Sequence, residues 1–290
     1  MAVLTNTTTT EDIDYALDVE MITNFNQDVD KLAELLGIVS PEVLHAGTAL
    51  YQYTVSGSLD TTERAEGDEV ALSKYTLTKG DAIELSPTAY RKLTTAEAVL
   101  RSGYEPAVLR TDKKMLQDVR AAIMDGFFGY LANGTGSATG TTLQMALAQA
   151  DAVLSATMEA NSDSSERVIH FVNTYDVADY LGSATVSTQT AFGMTYIENF
   201  LGITDIFVTS KVDQGTLYAV PTENLHLYGA DFSELSSAGL GYTTYDGSLI
   251  GVNHEADYSR VSCITNVLSG ALLLAEITDY IVISTIAEAV

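Results

Sequence analysis

The longest helical pattern of hydrophobic residues in the chain covers residues 106–132. Apolar positions recur there at steps of three and four, with one double step, so they form a single stripe. The stripe consists of Leu109, Leu116, Val119, Ile123, Phe127 and Leu131. Pro106 suits a first helical turn, where its missing N–H costs nothing, and Asn133-Gly134 suits a left-handed stop. We therefore predict one long helix, about 26 residues and roughly 40 Å, whose apolar face packs on a sheet.

Four further segments carry helical signals. Residues 14–38 keep near-helical spacing up to Gly37 through Leu17, Met21, Phe25, Val29, Leu32 and Leu36. Residues 94–101 predict a short capped helix that stops at Ser102-Gly103. Thr142 is predicted to cap a helix with an apolar side made of Leu143, Leu147, Ala150, Leu154 and Met158. Residues 174–181 predict another short helix.

Apolar and polar residues alternate with a period of two in much of the remaining chain. Residues 51–85 predict a long β-hairpin with arms at 51–59 and 70–85 and a charged tip, DTTERAEGDE. A tip this polar does not suit a core, so it lies either in solvent or on another subunit. Further strands are predicted at 167–172, 205–212, 216–221, 224–229, 258–268 and 280–285. Residues 134–142 and 239–251 predict Gly-rich loops, and the whole pattern indicates an irregular α+β fold.

Charge is distributed unevenly along the 290 residues, whose net charge is −25. Residues 1–30 contain no Lys or Arg, whereas ten of the 14 basic residues lie between Arg64 and Arg120. The acidic balance argues against binding a phosphate backbone through a basic surface. The acidic N-terminal segment could pair with the basic middle, within or between subunits. Solvated surface charges are the simpler explanation, since exposed pairs contribute less than about 1 kcal/mol each.

Residues with catalytic or metal-binding chemistry are scattered. His45, His170, His226 and His254 have no metal-ligand spacing, and the chain contains no nucleophile elbow. Cys263 is the single cysteine, and its strand-like surroundings predict a small buried hydrophobe rather than a partner of His254. The run GTGSATG lacks the Lys-Ser/Thr ending of a phosphate loop. We predict no enzyme activity, no catalytic residue, no cofactor and no metal. The sequence also shows no signal peptide and no stretch able to span a bilayer.

The order of these elements resembles the major capsid proteins of tailed bacteriophages, the Hong Kong 97 type. The matching segments are ERAEGDEVALSKYTLTKGDAIELSPTAYRKLTTAEAVLRSG, DVRAAIMDGFFGYLANGTG, VIHFVNTYDVADYL and EITDYIVISTI. The resemblance covers nearly the whole chain and rests on the order and character of the elements, not on one motif. It implies an N-terminal arm and connector (1–50), an extended hairpin or E-loop (51–85), a P domain containing the spine helix (86–172), a β-rich A domain (173–255) and returning strands (256–290).

The resemblance implies a structural function. The chain would assemble into hexamers and pentamers of an icosahedral phage head around double-stranded DNA, without sequence-specific binding and without a membrane. Implied partners are further copies of itself, a separate scaffolding protein, a portal and, in some heads, a decoration protein. The implied location is the virion, assembled in the bacterial cytoplasm.

Charged residues of the arm, hairpin and spine are the expected contacts between subunits. In the arm these are Asp12, Asp14, Asp18 and Glu20; in the hairpin Glu63, Arg64, Glu66, Asp68, Glu69, Lys74 and Lys79; in the spine Arg110, Lys113 and Lys114. We expect the arm to reach a neighbouring subunit. We also expect the subunit to fold without residues 1–30, because they lack the apolar density of a core.

Two other interpretations stay open. An encapsulin-like compartment would share this fold but would enclose enzyme cargo, and the sequence separates it poorly from a phage head. An unrecognised α+β enzyme or binding domain would instead show a pocket with converging titratable groups and would be a monomer or small oligomer.

Overall fold

The computed structural model describes residues 10–38, 41–63, 66–67, 69–165, 167–181, 188–200, 204–244 and 249–287. Within these ranges the chain forms six α-helices. They are α1 (Thr10–Leu36), α2 (Ala96–Ser102), α3 (Arg110–Leu131), α4 (Leu143–Ala160), α5 (Thr174–Leu181) and α6 (Ser233–Ser237). A π-helical segment, Glu105–Leu109, leads directly into α3, and single 3-10 turns lie at Thr222–Asn224 and Thr278–Tyr280.

Sixteen strands lie in the described residues. The first eight are β1 (Glu42–Leu44), β2 (Ala49–Ser58), β3 (Lys74–Glu84), β4 (Thr88–Thr95), β5 (Gly136–Gly140), β6 (Val168–Asn173), β7 (Thr188–Ala191) and β8 (Met194–Phe200). The others are β9 (Thr204–Thr209), β10 (Thr216–Pro221), β11 (Leu225–Ala230), β12 (Thr243–Thr244), β13 (Ile250–Asp257), β14 (Ser262–Ser269), β15 (Ala271–Ala275) and β16 (Val282–Ile286).

These strands form four sheets. The largest has seven strands in the order β5-β16-β10-β6-β9-β8-β7, and a four-stranded sheet has the order β12-β13-β14-β4. A three-stranded sheet has the order β1-β11-β15, and β2 pairs with β3 alone as an antiparallel hairpin. The predicted mixture of α and β elements is confirmed.

The seven-stranded sheet is buried on both faces. On one face α4 contributes Leu147 and Leu154, which share a cluster with Val172 of β6. On the other face Phe171 of β6 shares a larger cluster with α1 and α3. Strand residues that alternate between two apolar layers explain why β6 reads as a continuous buried run in the sequence.

The long helix is confirmed as α3, preceded by the π-helical segment in which Pro106 takes an early position. Of the predicted stripe, Leu116, Val119, Phe127 and Leu131 are buried, while Leu109 and Ile123 are half-buried. Val252 and Val267 of the four-stranded sheet belong to the same cluster, which confirms that this face packs on a sheet.

The predicted left-handed stop at Gly134 is wrong. The helix ends at Leu131, its C-cap residue Ala132 has a right-handed conformation with φ −65°, and Gly134 is not among the residues with positive φ. A Cβ atom at Gly134 would lie 2.6 Å from the Ile281 carbonyl oxygen. The glycine is needed because another part of the backbone passes close to it.

Helix α1 is part of the core, contrary to the expectation for residues 1–30. Ile22, Phe25 and Val29 are almost completely buried and share a cluster with Phe127 of α3. Gly37 ends the helix with φ 73°, as predicted. The packing of α1 therefore contributes to the stability of the subunit itself. The proposed division into arm, P domain and A domain stays a prediction.

Non-local pairing changes several predicted boundaries. Residues 134–142, predicted as a loop, contain β5, which pairs in parallel with β16. The strand predicted from residue 258 begins at Ser262, because Asp257 accepts hydrogen bonds from the N–H groups of Ser259 and Arg260 and holds a turn there. The second arm of the hairpin begins at Lys74 rather than at residue 70.

Candidate assembly interface

The hairpin β2–β3 is anchored only at its base. The side chain of Gln52 donates to the Ala275 carbonyl oxygen at 3.0 Å, and the Leu85 N–H donates to the Thr48 carbonyl oxygen at 3.0 Å. Beyond this base, every residue from Lys74 to Ala82 is exposed. A lone two-stranded hairpin is marginally stable in water, and nothing in the described part of the chain covers this one.

The two faces of the hairpin differ in chemistry. Directly opposed residues share a face, so the pairing of Gly57 with Tyr75 and of Tyr53 with Lys79 defines one face. That face also carries Leu77, and its side chains are largely exposed: 59% for Tyr75 and 61% for Leu77. The opposite face carries hydroxyl groups, from Thr54, Ser56, Thr76 and Thr78. One face is therefore apolar and uncovered, and the other is suited to water.

The tip of the hairpin, residues 59–73, is held at its neck. The Asp60 N–H donates to the Ser73 hydroxyl at 2.9 Å, and the Thr62 N–H donates to the Asp60 carboxylate at 2.9 Å. Hydrogen bonds from the Thr62 hydroxyl and N–H hold the pKa of Asp60 below its ordinary value. The tip therefore has a defined beginning and end although it is exposed.

The tip combines carboxylates with apolar side chains. Glu63, Glu66 and Glu69 are exposed. Leu59 is 70% exposed, Val70 63% and Leu72 92%. The predicted contacts Arg64 and Asp68 lie outside the described residues.

Comparison with known proteins rests on structure alone. No protein-family model matches the sequence, and no curated protein matches it. A structure of Mycobacterium phage Ogopogo is 11% identical and aligns with a TM-score of 0.52 over 87% of this chain and 91% of that chain. The capsid of an empty GTA particle aligns with a TM-score of 0.51 at 9% identity, over 85% of this chain and 88% of that chain. The chain has the Hong Kong 97-type capsid fold.

The same fold occurs in an encapsulin. The holo-SrpI encapsulin complex from Synechococcus elongatus PCC 7942 aligns with a TM-score of 0.51 at 10% identity, over 88% of both chains. Similarity at this level fixes the capsid fold but does not separate a phage head from an encapsulin.

The predicted contact residues on the spine helix α3 of this capsid fold lie on its solvent side. Arg110 is 3.6 Å from the Glu105 carboxylate, and Lys114 pairs with Asp118. Lys113 is exposed and has no ion-pair partner among the described residues. These surface pairs contribute little intrachain stability.

The remaining predicted contacts are divided between the hairpin and α1. Lys74 is exposed on β3, and the Lys79 ammonium lies 3.1 Å from the centroid of the Tyr51 ring. Asp12, Asp14, Asp18 and Glu20 lie on α1, and their side chains are outside the described residues. As contacts between subunits, all these residues stay predictions. One arm-to-middle ion pair does form within the subunit, between Asp28 and Arg120 at 2.5 Å.

A buried charged cluster fastens the spine helix to the four-stranded sheet. Asp112 of α3 is 1% exposed and pairs with Lys92 of β4. Its carboxylate accepts from Thr265 of β14 at 3.0 Å and lies 3.2 Å from Nε2 of His254 on β13. Burial would raise the pKa of Asp112, but hydrogen bonds from His254 and Lys92 outweigh it and lower the pKa.

Sequence analysis did not identify this cluster, although one signal pointed to it. The apolar stripe of the helix has its double step between Leu109 and Leu116, and Asp112 occupies the missing position. A charged residue on the buried stripe of a helix requires a partner in the core.

The chain offers little support for the enzyme interpretation. A surface depression of about 480 Å³ is lined by Asp151, Arg167, Glu198 and Asp205, among others. Arg167 donates to Asp205 at 2.7 Å and to the Tyr196 hydroxyl at 2.6 Å, so these three side chains are paired with one another. Burial raises the pKa of Tyr196 to about 12. The described residues contain no group of three or more His, Cys, Asp or Glu side chains able to hold a metal.

His170 and Cys263 both lie in β-strands. His170 is buried, and its Nδ1 lies 2.9 Å from the Thr204 hydroxyl, which confirms a core histidine. Cys263 is half-buried rather than buried, because it lies on β14 opposite Thr94 of β4, near the end of the sheet. No helix among the described residues is long and apolar enough to cross a bilayer.

Proposed function

We propose that this chain is a structural shell protein, the major subunit of a phage head, and not an enzyme. The observation that carries the proposal is the hairpin of a capsid fold, whose apolar face is left uncovered by the part of the chain that the structure describes. A protein with this fold and this surface gains stability when a second copy covers the hairpin.

The energetic argument follows from burial and repetition. Burying one large apolar side chain contributes about 1.5–3 kcal/mol, and the exposed face presents Tyr75 and Leu77 together. Ordering and desolvation offset part of this gain. Because each subunit of a closed shell makes the same contact, weak contacts add through multivalency.

The proposed assembly is a set of hexamers and pentamers that encloses double-stranded DNA in the virion. A net charge of −25 keeps such a shell from binding the packaged DNA tightly. Scaffolding, portal and decoration proteins are the partners that this function requires or admits. Assembly would take place in the bacterial cytoplasm.

An encapsulin-like compartment is the second candidate, favoured by the similarity to the SrpI encapsulin. The two candidates differ in contents, because a phage head packages nucleic acid and an encapsulin encloses protein cargo. The acidic, Thr-rich N-terminal segment favours the phage head.

The first test is size-exclusion chromatography coupled to light scattering on the purified chain, with electron microscopy of early-eluting material. We expect closed shells, or hexamers and pentamers. A chain that stays monomeric with crowding agent and across a range of salt concentrations would reject the proposed function. Co-purifying enzyme in closed shells from cells without phage genes would favour the encapsulin.

A further inference from the structure

Two neighbouring surface depressions form one groove beside helix α4. The first has a volume of about 480 Å³ and the second a volume of about 380 Å³. Ser155 of α4 and Val168 of β6 line both depressions, so the two depressions adjoin each other. The groove therefore follows the second half of α4 and passes the start of β6.

Helix α4 contributes three polar side chains to one wall of this groove. Asp151 lines the first depression, Glu159 lines the second, and Ser155 lines both. The three residues are four positions apart, so they lie on one face of the helix. Each step of four residues advances about 6 Å along the helix axis. Asp151 and Glu159 are therefore separated by roughly 12 Å along the axis, with a hydroxyl group halfway between them.

The groove carries an excess of negative charge. Its charged lining residues are Asp151, Glu159, Asp163, Glu198 and Asp205, against Arg167 alone. Arg167 pairs with Asp205 at 2.7 Å. Asp151, Glu159 and Glu198 form no ion pair with a lysine or arginine of the described residues. A concave surface lined by unpaired carboxylates attracts cations.

A buried histidine behind the wall of the groove is incompletely satisfied. His170 is 0% exposed, and its Nδ1 lies 2.9 Å from the Thr204 hydroxyl. Its Nε2 faces Oδ1 of Asp151 at 3.2 Å, yet neither atom has a hydrogen-bond partner in the described part of the chain. When Nδ1 donates to Thr204, whose hydroxyl donates to the Val168 carbonyl oxygen at 3.3 Å, Nε2 and Oδ1 are two acceptors without a donor.

The unsatisfied pair points to a bound group. Buried polar atoms without partners are rare in folded proteins, and a bound ion or water is a common reason for them. The Asp151 carboxylate requires a donor, and the groove that Asp151 lines is the open side from which a donor can arrive. A positively charged donor satisfies this carboxylate and also reduces the excess negative charge of the groove.

The spacing of the polar residues along α4 selects a class of cation. Spermidine, a linear polyamine, carries three amino groups, and the nine bonds between its two ends span about 11 Å when extended. This length matches the separation of Asp151 and Glu159, and it places the middle amino group beside Ser155. A single metal ion fits less well, because the described residues contain no group of three or more His, Cys, Asp or Glu side chains able to hold one.

We propose that the groove beside α4 binds a linear polyamine. One terminal ammonium contacts Asp151, the other contacts Glu159, and the middle ammonium donates to Ser155. Glu198 on the opposite wall adds negative charge at the Asp151 end. All these residues belong to one subunit, so the inference goes beyond the proposed function and does not depend on it. In an assembling shell, bound polyamine would weaken the repulsion between copies with a net charge of −25.

The test is isothermal titration calorimetry on the purified full chain at constant ionic strength. The probes are spermidine, diaminooctane, diaminopropane, magnesium chloride and trilysine. Diaminooctane has the same number of bonds between its ends as spermidine but no middle amino group, and diaminopropane is too short to reach both carboxylates. We expect spermidine to bind at least about tenfold more tightly than diaminopropane, magnesium or trilysine, with diaminooctane in between.

The variants are Asp151→Asn, Glu159→Gln and the combination of both. An exposed ion pair contributes up to about 1 kcal/mol, roughly fivefold in affinity, so each single change should weaken spermidine binding by about three- to fivefold. The double variant should weaken it by at least about tenfold. A matched control, Asp118→Asn with Glu234→Gln, removes the same charge from exposed residues outside the groove and should bind spermidine normally. Melting of each variant is recorded, and Glu159 is exposed, so Glu159→Gln should leave the fold intact.

Several outcomes would overturn the inference. Equal affinity for spermidine, diaminopropane and magnesium would mean unspecific attraction by the acidic surface. Tighter binding of trilysine would assign the groove to a basic peptide. Normal spermidine binding by folded Glu159→Gln would show that the ligand does not span both depressions, and equal weakening by the control would place the binding elsewhere. A chain that binds spermidine but never assembles rejects only the proposed function, and one that assembles without binding spermidine rejects only this inference.

Discussion

Removing the Asp112 carboxylate should strongly destabilise the subunit. In Asp112→Ala, Lys92 and His254 lose their common partner, although their side chains are only 21% and 1% exposed. Breaking a buried ion pair by deleting one member costs about 3–5 kcal/mol. Lys92 keeps a hydrogen bond to Thr111 at 2.6 Å and some access to water, so we expect a loss near the lower end, about 3 kcal/mol.

The measurement is urea-induced unfolding of the free subunit at pH 7. The matched control is Asp118→Ala, which removes an exposed carboxylate from the same helix and should cost less than about 1 kcal/mol. The double variant Asp112→Leu with Lys92→Met should be more stable than Asp112→Ala, because it leaves no unpaired lysine. A loss below about 1 kcal/mol in Asp112→Ala would refute the reasoning that this cluster fastens the spine helix to the sheet.

The contribution of Asp112 to the stability of the subunit depends on pH with a defined sign. The pKa of Asp112 in the folded subunit lies below its ordinary value of 3.8. The charged carboxylate therefore contributes its full stability above about pH 4, and that contribution disappears as the pH falls through the lowered pKa. The stability difference between the unaltered chain and Asp112→Asn should therefore shrink as the pH falls below about 4. A difference that does not change in this acidic range would assign the effect to another group.

Two other substitutions follow from packing. Gly134→Ala places a Cβ 2.6 Å from the Ile281 carbonyl oxygen and should cost about 2–3 kcal/mol in urea unfolding, whereas Gly129→Ala on the open side of the spine helix should gain up to about 1 kcal/mol; equal effects would mean that the close approach is absent. Phe25→Ala should cost about 3–5 kcal/mol, because Phe25 is fully buried, while Glu34→Ala on the exposed side of α1 should change stability by less than about 0.5 kcal/mol. Native-like stability in Phe25→Ala would restore the expectation that residues 1–30 are dispensable for folding.

The elements that could be predicted from sequence are those specified by neighbouring residues. The Thr95 hydroxyl accepts from the Ala98 N–H, and the Thr142 hydroxyl accepts from the Met145 N–H. Both helix caps can therefore be recognised within a stretch of four residues. Strand β5 could not be predicted, because its Gly-rich sequence becomes a strand only by pairing with β16 almost 150 residues later. Gly134 was misassigned for the same reason, since the backbone that approaches it belongs to Ile281.

The hairpin was predictable in outline but not in detail. The polar tip and the alternating arms predicted a hairpin whose tip lies either in solvent or on another subunit, and its contact with another subunit stays a prediction. Which side chains share its apolar face depends on the register, which shifts between Tyr51 and Tyr53.

The position of α1 also has a consequence for synthesis on the ribosome. Helix α1 is translated first, but it packs against β12 and β13, which end at Asp257. At 5–20 residues per second, the wait for those strands is roughly 10–45 s. During that time the hairpin has emerged, but the core beneath the spine helix is incomplete. Nascent chains on one messenger therefore expose the hairpin before the core beneath their own spine helix is complete.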